Sequence, residues 1–379
     1  MSTGHPSETS EWVTIASARV AGFRAFCGDQ VDVARCKARV CQHAGRLRLW
    51  LSILLATAAI PLAACGSSSA LPANHGFRPL RIALDYSANV NYLGIFVAVD
   101  RGYFRAEGID PQIIPYAGTS AETLLAAHKA DLGLTYPPNI PAYRASGLDY
   151  EAVAGLSQRN TIGIAVLASS SYTNVAQLSG TLYGGFGVPS DKPILEDVFR
   201  KAGVAHPVVK EVDLGDSAYQ ALAAHRIAYS IVYGGIDDVT AELSGVKLRV
   251  FPIKSYLGTA FSFPDDAFVT NDSEVTHQPE LLRRGLAALA KGYQFAATHP
   301  TEAEAILVKD NPTALAHAMN IVAATGAATA ATFVTSNGRW GSMNDADFRG
   351  VTNILVDGGL IKRSKTPRPS ENYTNSLLP

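Results

Sequence analysis

LRIALDYSANVNYLGIFVAVDRGYFRAEGIDPQIIPY, residues 80–116, decides the architecture. Residues 80–85 are a short β-rich run, residues 93–107 a helical run stopped by Gly108, and residues 111–116 a second β-rich run. Strand, helix and strand in close succession make a βαβ unit, whose two strands lie parallel because the connection is a crossover rather than a hairpin.

The alternation continues outward from that unit. A helix is expected over 120–128 with Thr119 or Ser120 as its N-cap, a strand over 131–136, a helix over 137–146 opened by prolines and followed by Gly147, and a strand over 150–158. A second set follows: strand 162–168 as a crossover, short helix 175–178, strand 182–186, helix 191–202 ended by Gly203, strand 208–213, helix 217–225, strand 227–233, helix 236–244, strand 248–253 and a returning strand at 267–270. Beyond Pro279 only helical patterns remain, at 280–299, 301–309, 313–325 and 345–357, the last closed by Gly358-Gly359. This order predicts an α/β protein with parallel sheets covered by helices. Two strand sets joined by two crossovers predict two lobes, the first from 78–163 plus 264–379 and the second from 164–263. One continuous doubly wound domain is the competing arrangement.

Of the 379 residues 47% are apolar and 17% charged, enough apolar surface for a packed core. The formal net charge of −1 leaves no basic excess to neutralise phosphates, which excludes a nucleic-acid-binding reading. The four cysteines, Cys27, Cys36, Cys41 and Cys65, all lie within the first 65 residues. No disulfide, thiolate metal site or cysteine nucleophile is therefore expected beyond Cys65.

RLRLWLSILLATAAIPLAAC, residues 46–65, reads as an export signal: Arg46 and Arg48 as positive flank, an uncharged apolar run from Leu49 to Leu62, and Ala63-Ala64 before Cys65. The run is shorter than the roughly 20 residues a spanning helix needs. Leu62-Ala63-Ala64-Cys65 resembles the bacterial lipobox, so residues 1–64 are expected to be an N-terminal extension and lipoprotein signal peptide, Cys65 the lipidated residue, and 65–77 a flexible tether. A buried helix ending by chance in a cysteine is the plain alternative. Without residues 1–64 the chain carries 25 basic and 29 acidic residues, an ordinary soluble surface.

Residues 84–110, with Asn89, Asn91, Gly94, Val97-Ala98, Gly102-Tyr103-Phe104 and Glu107-Gly108, resemble the opening of solute-binding proteins for thiamine pyrimidine precursors, within a larger group that also binds sulfonates and nitrate. ADLGLTYPPNIPAYRASG (130–147), GGFGVPSDKPILED (184–197) and YGGIDDVTAEL (233–243) resemble later segments of that family in the same order. The resemblance implies the type II periplasmic binding fold, two lobes closing by hinge motion on a ligand. It also implies an ABC permease and ATPase as partners, a monomer held at the outer face of the cell membrane by the Cys65 lipid, and no cofactor. The chain departs from the family at Tyr86 and Ile236, where Trp is usual, and at Lys192, where an acid is common.

Ligands of parallel sheets sit beyond the carboxyl ends of the strands. That rule selects Asp85, Tyr86 and Asn89 after the first strand, to which the resemblance adds Asn91, and Tyr136 and Asn139 after the third. From the second set it selects Phe186, Ser190 and Asp191, then Tyr233 and Asp237. The resemblance adds Glu196, or its neighbour Asp197, as the acid that contacts a pyrimidine amine. These rings, amides, hydroxyls and carboxylates suit a flat, uncharged or weakly cationic heterocycle: rings stack and carboxylates accept from an exocyclic amine. Each residue also has a plain structural role open to it. Asn89 and Asn91 can hold a turn, the tyrosines can be core, and Glu196 can favour a helix N-terminus. A binder of an alkanesulfonate or other small anion is the second reading, and a lipoprotein sensor without transport the third. A eukaryotic relative of the fold makes the thiamine pyrimidine with iron, a histidine and a cysteine cluster. The lack of cysteine after Cys65, and of metal-ligand histidine spacing, points here to binding without catalysis or metal.

Overall fold

A computed structural model describes residues 76–215, 218–316 and 318–379. The predicted lipobox, Cys65 and most of the tether lie outside these residues. The unit bounded by Pro72 and Pro379 contains two sheets. The first is built from β1 (Arg78–Ala83), β2 (Ile109–Ile114), β3 (Leu132–Thr135), β4 (Tyr150–Gly155) and, far along the chain, β10 (Ala267–Asn271). Its order is β2-β1-β3-β10-β4, with β1 parallel to β2 and β3 while β10 runs antiparallel to β3 and β4.

The second sheet uses β5 (Ile162–Leu167), β6 (Leu182–Gly185), β7 (Lys210–Asp213), β8 (Ser230–Tyr233) and β9 (Leu248–Pro252). β5 lies antiparallel between β8 and β9, and β6 pairs parallel with β7. A parallel bridge at Tyr183 and Tyr229 and two backbone bonds, Gly184 N to Tyr229 O at 3.1 Å and Ala228 N to Leu182 O at 2.9 Å, join β6 to β8. The resulting order, β7-β6-β8-β5-β9, repeats that of the first sheet. In each sheet the antiparallel strand is the one that arrives from the other: β5 follows β4, and β10 follows β9. The expected α/β architecture with two lobes and two crossovers is present.

Local chemistry explains several element ends. The Ser120 hydroxyl accepts from Thr123 N at the start of helix Ala121–Ala126, which settles the N-cap left open between Thr119 and Ser120. At Asp345–Asp357 the Asn344 side chain accepts from Ala346 N while Asp347 accepts from Asn344 N, satisfying two orphan donors of the first turn. Two expected helices differ. The run 93–107 divides into Leu93–Asp100 and Tyr103–Ala106, because Gly102 adopts a left-handed conformation at φ 70° that ends the first helix. The helix expected at 313–325 is displaced to Met319–Ala330, with residues 312–316 spent on turns after Asn311.

The larger of two hydrophobic clusters in each lobe forms its main core. Helix Pro279–Thr298 crosses helix Leu93–Asp100 so closely that a Cβ on Gly292 would sit 2.1 Å from the Gly94 carbonyl oxygen, and one on Gly94 2.2 Å from the Tyr293 ring. Around that crossing Leu80, Phe96, Phe268, Phe333 and Trp340 are buried. The second core gathers Ile164, Tyr183, Phe199, Phe261 and Phe263. Helix Asp345–Asp357 serves both sheets: Phe348 packs with first-sheet residues, Val351, Ile354 and Leu355 with second-sheet residues.

Candidate functional site

The carboxyl ends of the parallel strands of the two sheets face each other, and polar side chains meet there. From the first lobe come Asp85 and Tyr92, joined by a hydrogen bond from Tyr92 Oη to Asp85 Oδ1 at 2.8 Å. Asn91 donates from Nδ2 to Asp266 Oδ2 at 3.5 Å, and its carbonyl accepts from Tyr293 Oη at 3.1 Å. From the second lobe Tyr233 Oη reaches across to Asp266 Oδ1 at 3.1 Å. A second bridge joins Ser190 Oγ to Asn139 Oδ1 at 3.0 Å, both side chains buried. At the rim the Tyr86 ring meets Phe186 edge-on at 5.8 Å and stacks on Tyr116 at 6.4 Å. Phe186 stays 43% exposed, so this aromatic lip is open to solvent on one side.

The electrostatics are one-sided. Asp191 is buried and accepts from Tyr183 Oη at 2.6 Å. Burial pushes its carboxyl up to about 7, opposed by the Tyr183 bond and helped by Glu211. Burial likewise takes Asp265 to about 7 against two bonds from Thr161. Asp266 is raised by burial and by the charges of Asp85 and Asp265, and Asp85 rises mainly through burial. Tyr92, Tyr136, Tyr183 and Tyr233 are all driven upward by burial beside these acids and remain neutral donors. Among the described residues no Lys, Arg or His forms an ion pair with Asp85, Asp191, Asp265 or Asp266, and no group of three or more His, Cys, Asp or Glu is placed to hold a metal ion. Tyr136 packs edge-on against Phe263, and its Oη is buried with no hydrogen-bond partner.

Of the residues selected from sequence, Asp85, Tyr86, Asn91, Tyr136, Asn139, Phe186, Ser190, Asp191 and Tyr233 lie at or beside this junction of the two lobes. Three do other work. Asn89 closes its own turn, with Oδ1 accepting from Asn91 N at 2.8 Å and Nδ2 donating to Ser87 O at 2.9 Å. Asp237 accepts from Tyr233 N at 2.7 Å and so holds the turn after β8; burial raises it to about 6. Glu196 is half-buried within helix Asp191–Lys201 and acts on Tyr229, behind Tyr183 rather than in the cleft. Its neighbour Asp197 pairs with Arg200.

The strand-end rule missed Asp265, Asp266 and Tyr92. β10 is antiparallel, so its amino end lies beside the carboxyl ends of its neighbours, and Asp265-Asp266 stand immediately before it. An acidic doublet leading into an apolar strand was the available signal.

Residues 89–303 match the family described as NMT1/THI5 like. The chain belongs to that family. A formylaminopyrimidine-binding protein of Halalkalibacterium halodurans is 26% identical over 270 residues, 68% of this chain and 77% of that protein. A 4-amino-5-hydroxymethyl-2-methylpyrimidine phosphate synthase of Saccharomyces cerevisiae is 24% identical over 231 residues, 58% of this chain and 67% of that protein. Among solved structures, the alkanesulfonate-binding protein of Xanthomonas axonopodis pv. citri superposes with a TM-score of 0.59 at 15% identity, covering 78% of this chain and 98% of that one. The fold is that of the periplasmic binding proteins, and the NMT1/THI5-like match covers every strand of both sheets except β1.

Proposed function

We propose that this chain is the extracytoplasmic solute-binding component of an ABC importer, and that its cleft takes a thiamine pyrimidine precursor or a similar small amino heterocycle. One observation carries the ligand class: the polar groups that meet between the lobes are carboxylates, phenols and amides, and among the described residues no Lys, Arg or His pairs with those carboxylates. An aminopyrimidine offers what such a cleft lacks. Its exocyclic amine donates to Asp266 or Asp85, relieving the repulsion between them. Its ring nitrogens accept from the unpartnered Tyr136 Oη and from Asn91. Tyr86 and Phe186 supply faces for the ring. A sulfonate would meet buried carboxylates instead of the Arg or helix N-terminus that such anions need.

In this reading the side chains bind and orient, and the ligand leaves unchanged for a permease with its ATPase. Asp85, Tyr86, Asn91, Tyr136, Asn139, Phe186, Ser190, Asp191, Tyr233 and Asp266 form the ligand shell, while Asn89, Asp237 and Glu196 hold the scaffold. Cys65 is the lipid attachment point, the chain acts as a monomer, and the lobes are bounded at 78–163 plus 264–379 and at 164–263, with helix Asp345–Asp357 serving both. The family includes synthases, so binding and turnover are separated by recovery of the ligand after incubation.

The test is thermal unfolding with formylaminopyrimidine, 4-amino-5-hydroxymethyl-2-methylpyrimidine and alkanesulfonates as separate additions. A specific ligand at about 100 times its Kd stabilises by about 2.7 kcal/mol. Pyrimidines are expected to raise the melting temperature and to be recovered intact. Stabilisation by sulfonates alone would refute the ligand class, and recovery of a converted pyrimidine would refute the binding-only role.

A further inference from the structure

The two crossovers between the sheets run side by side, and one carboxylate ties them together. Residues 156–161 lead from β4 to β5, and residues 253–266 lead from β9 to β10. Asp265, on the second crossover, uses both oxygens on one residue of the first: Oδ1 accepts from Thr161 N at 2.7 Å and Oδ2 from Thr161 Oγ1 at 2.8 Å. Its own N–H donates to Ser157 Oγ at 2.9 Å, and that hydroxyl donates to Arg159 O at 2.9 Å. Asn160 adds a third strut, Nδ2 to Phe263 O at 3.1 Å. The next residue, Asp266, gives its carbonyl to Leu156 N at 2.8 Å and its carboxylate to Tyr233 across the cleft.

Burial of a carboxylate costs several kcal/mol unless its lone pairs are filled, so an apolar residue would pack this spot more cheaply. Asp265 is 5% exposed and has no ion pair among the described residues. The titratable groups that face it are Asp266, Tyr136 and Tyr233, none of them a base. The geometry accounts for the choice. Hinge closure concentrates backbone rotation in a few connecting residues. A carboxylate bonded to both the amide and the hydroxyl of Thr161 forces the two connections to rotate together.

We infer that Asp265 is a positioning residue that couples the two crossovers and so fixes how Asp266 is presented to the cleft as the lobes move. The coupling stands apart from the ligand assignment; only the role of Asp266 in binding rests on the proposed function.

Hydrogen-exchange mass spectrometry on the full chain without ligand tests it. Thr161→Val, which deletes the hydroxyl, is expected to accelerate exchange about tenfold in both crossovers, residues 156–162 and 262–267, while helix Pro279–Thr298 keeps its rate. Thr161→Ser, which keeps the hydroxyl, is expected to restore the wild-type rates in both. With an aminopyrimidine bound, Thr161→Val is expected to release it faster, and Thr161→Ser is not. Acceleration confined to residues 156–162, or equal effects of Val and Ser, would overturn the inference. If Thr161→Val does not yield folded protein, Ser157→Ala reads the same coupling: faster exchange at 262–267 supports it, and an effect limited to the neighbourhood of residue 157 overturns it. Coupled exchange in a protein that binds no aminopyrimidine would leave the hinge role standing and remove the ligand assignment.

Discussion

Replacing Asp191 by Asn is expected to stabilise the ligand-free protein at alkaline pH. Asp191 is 4% exposed, and burial holds its carboxyl near 7 against a usual 3.8. The folded state therefore keeps a proton that the unfolded chain gives up. Stability from this group is complete below the unfolded value and is lost as pH rises from about 4 through about 7. A shift of about 3 units corresponds to a cost on the order of 4 kcal/mol above pH 7. Asn removes the charge and still accepts from Tyr183 Oη. Part of the gain is offset because Asp191 opens an 11-residue helix, where a negative charge contributes roughly 0.5–1 kcal/mol. The bond from Tyr183 to the charged carboxylate is already contained in that shift. The net expectation is about 3 kcal/mol, or about 5 °C in melting temperature, at pH 8. The difference between variant and wild type is expected to shrink steadily toward pH 4. Paired thermal unfolding across pH 4–8 measures this. A difference that is absent at pH 8, or constant with pH, would refute the idea that Asp191 is a buried charge without a counter-ion.

Asp266→Asn is expected to raise stability in the same alkaline range and to weaken aminopyrimidine binding roughly 10–100-fold by calorimetry, because a charged acceptor for the amine is lost. Tyr136→Phe is expected to leave the melting temperature unchanged or slightly higher, since its hydroxyl has no partner in the protein, while affinity falls about 3–10-fold. Gly292→Ala is expected to destabilise by about 1–3 kcal/mol in denaturant unfolding, as its methyl would press on the Gly94 carbonyl where helices Pro279–Thr298 and Leu93–Asp100 cross. Asn344→Ala is expected to cost about 1 kcal/mol through loss of the cap on helix Asp345–Asp357, with ligand affinity unchanged.

The residue order by itself determined the alternation of strands and helices, the parallel pairing begun at residues 80–116, a cap at Thr119 or Ser120 and the two returns between sheets. These are local or topological facts: side-chain period, caps and glycines act within a few residues, and a crossover helix leaves its strands no orientation but parallel. Nine of the twelve candidate residues chosen from sequence lie at the facing strand ends for the same reason, since parallel strands release their loops at one end. Tertiary structure alone decided the rest. Whether Asn89 faced a ligand or its own turn depended on which backbone amide lay within reach, and Asn91 N did. Asp265 and Asp266 stood before a strand rather than after one, and only the antiparallel entry of β10 turned that end toward the cleft. Strand direction within a sheet is set by packing between residues more than a hundred positions apart, so no local pattern near Asp266 carried it.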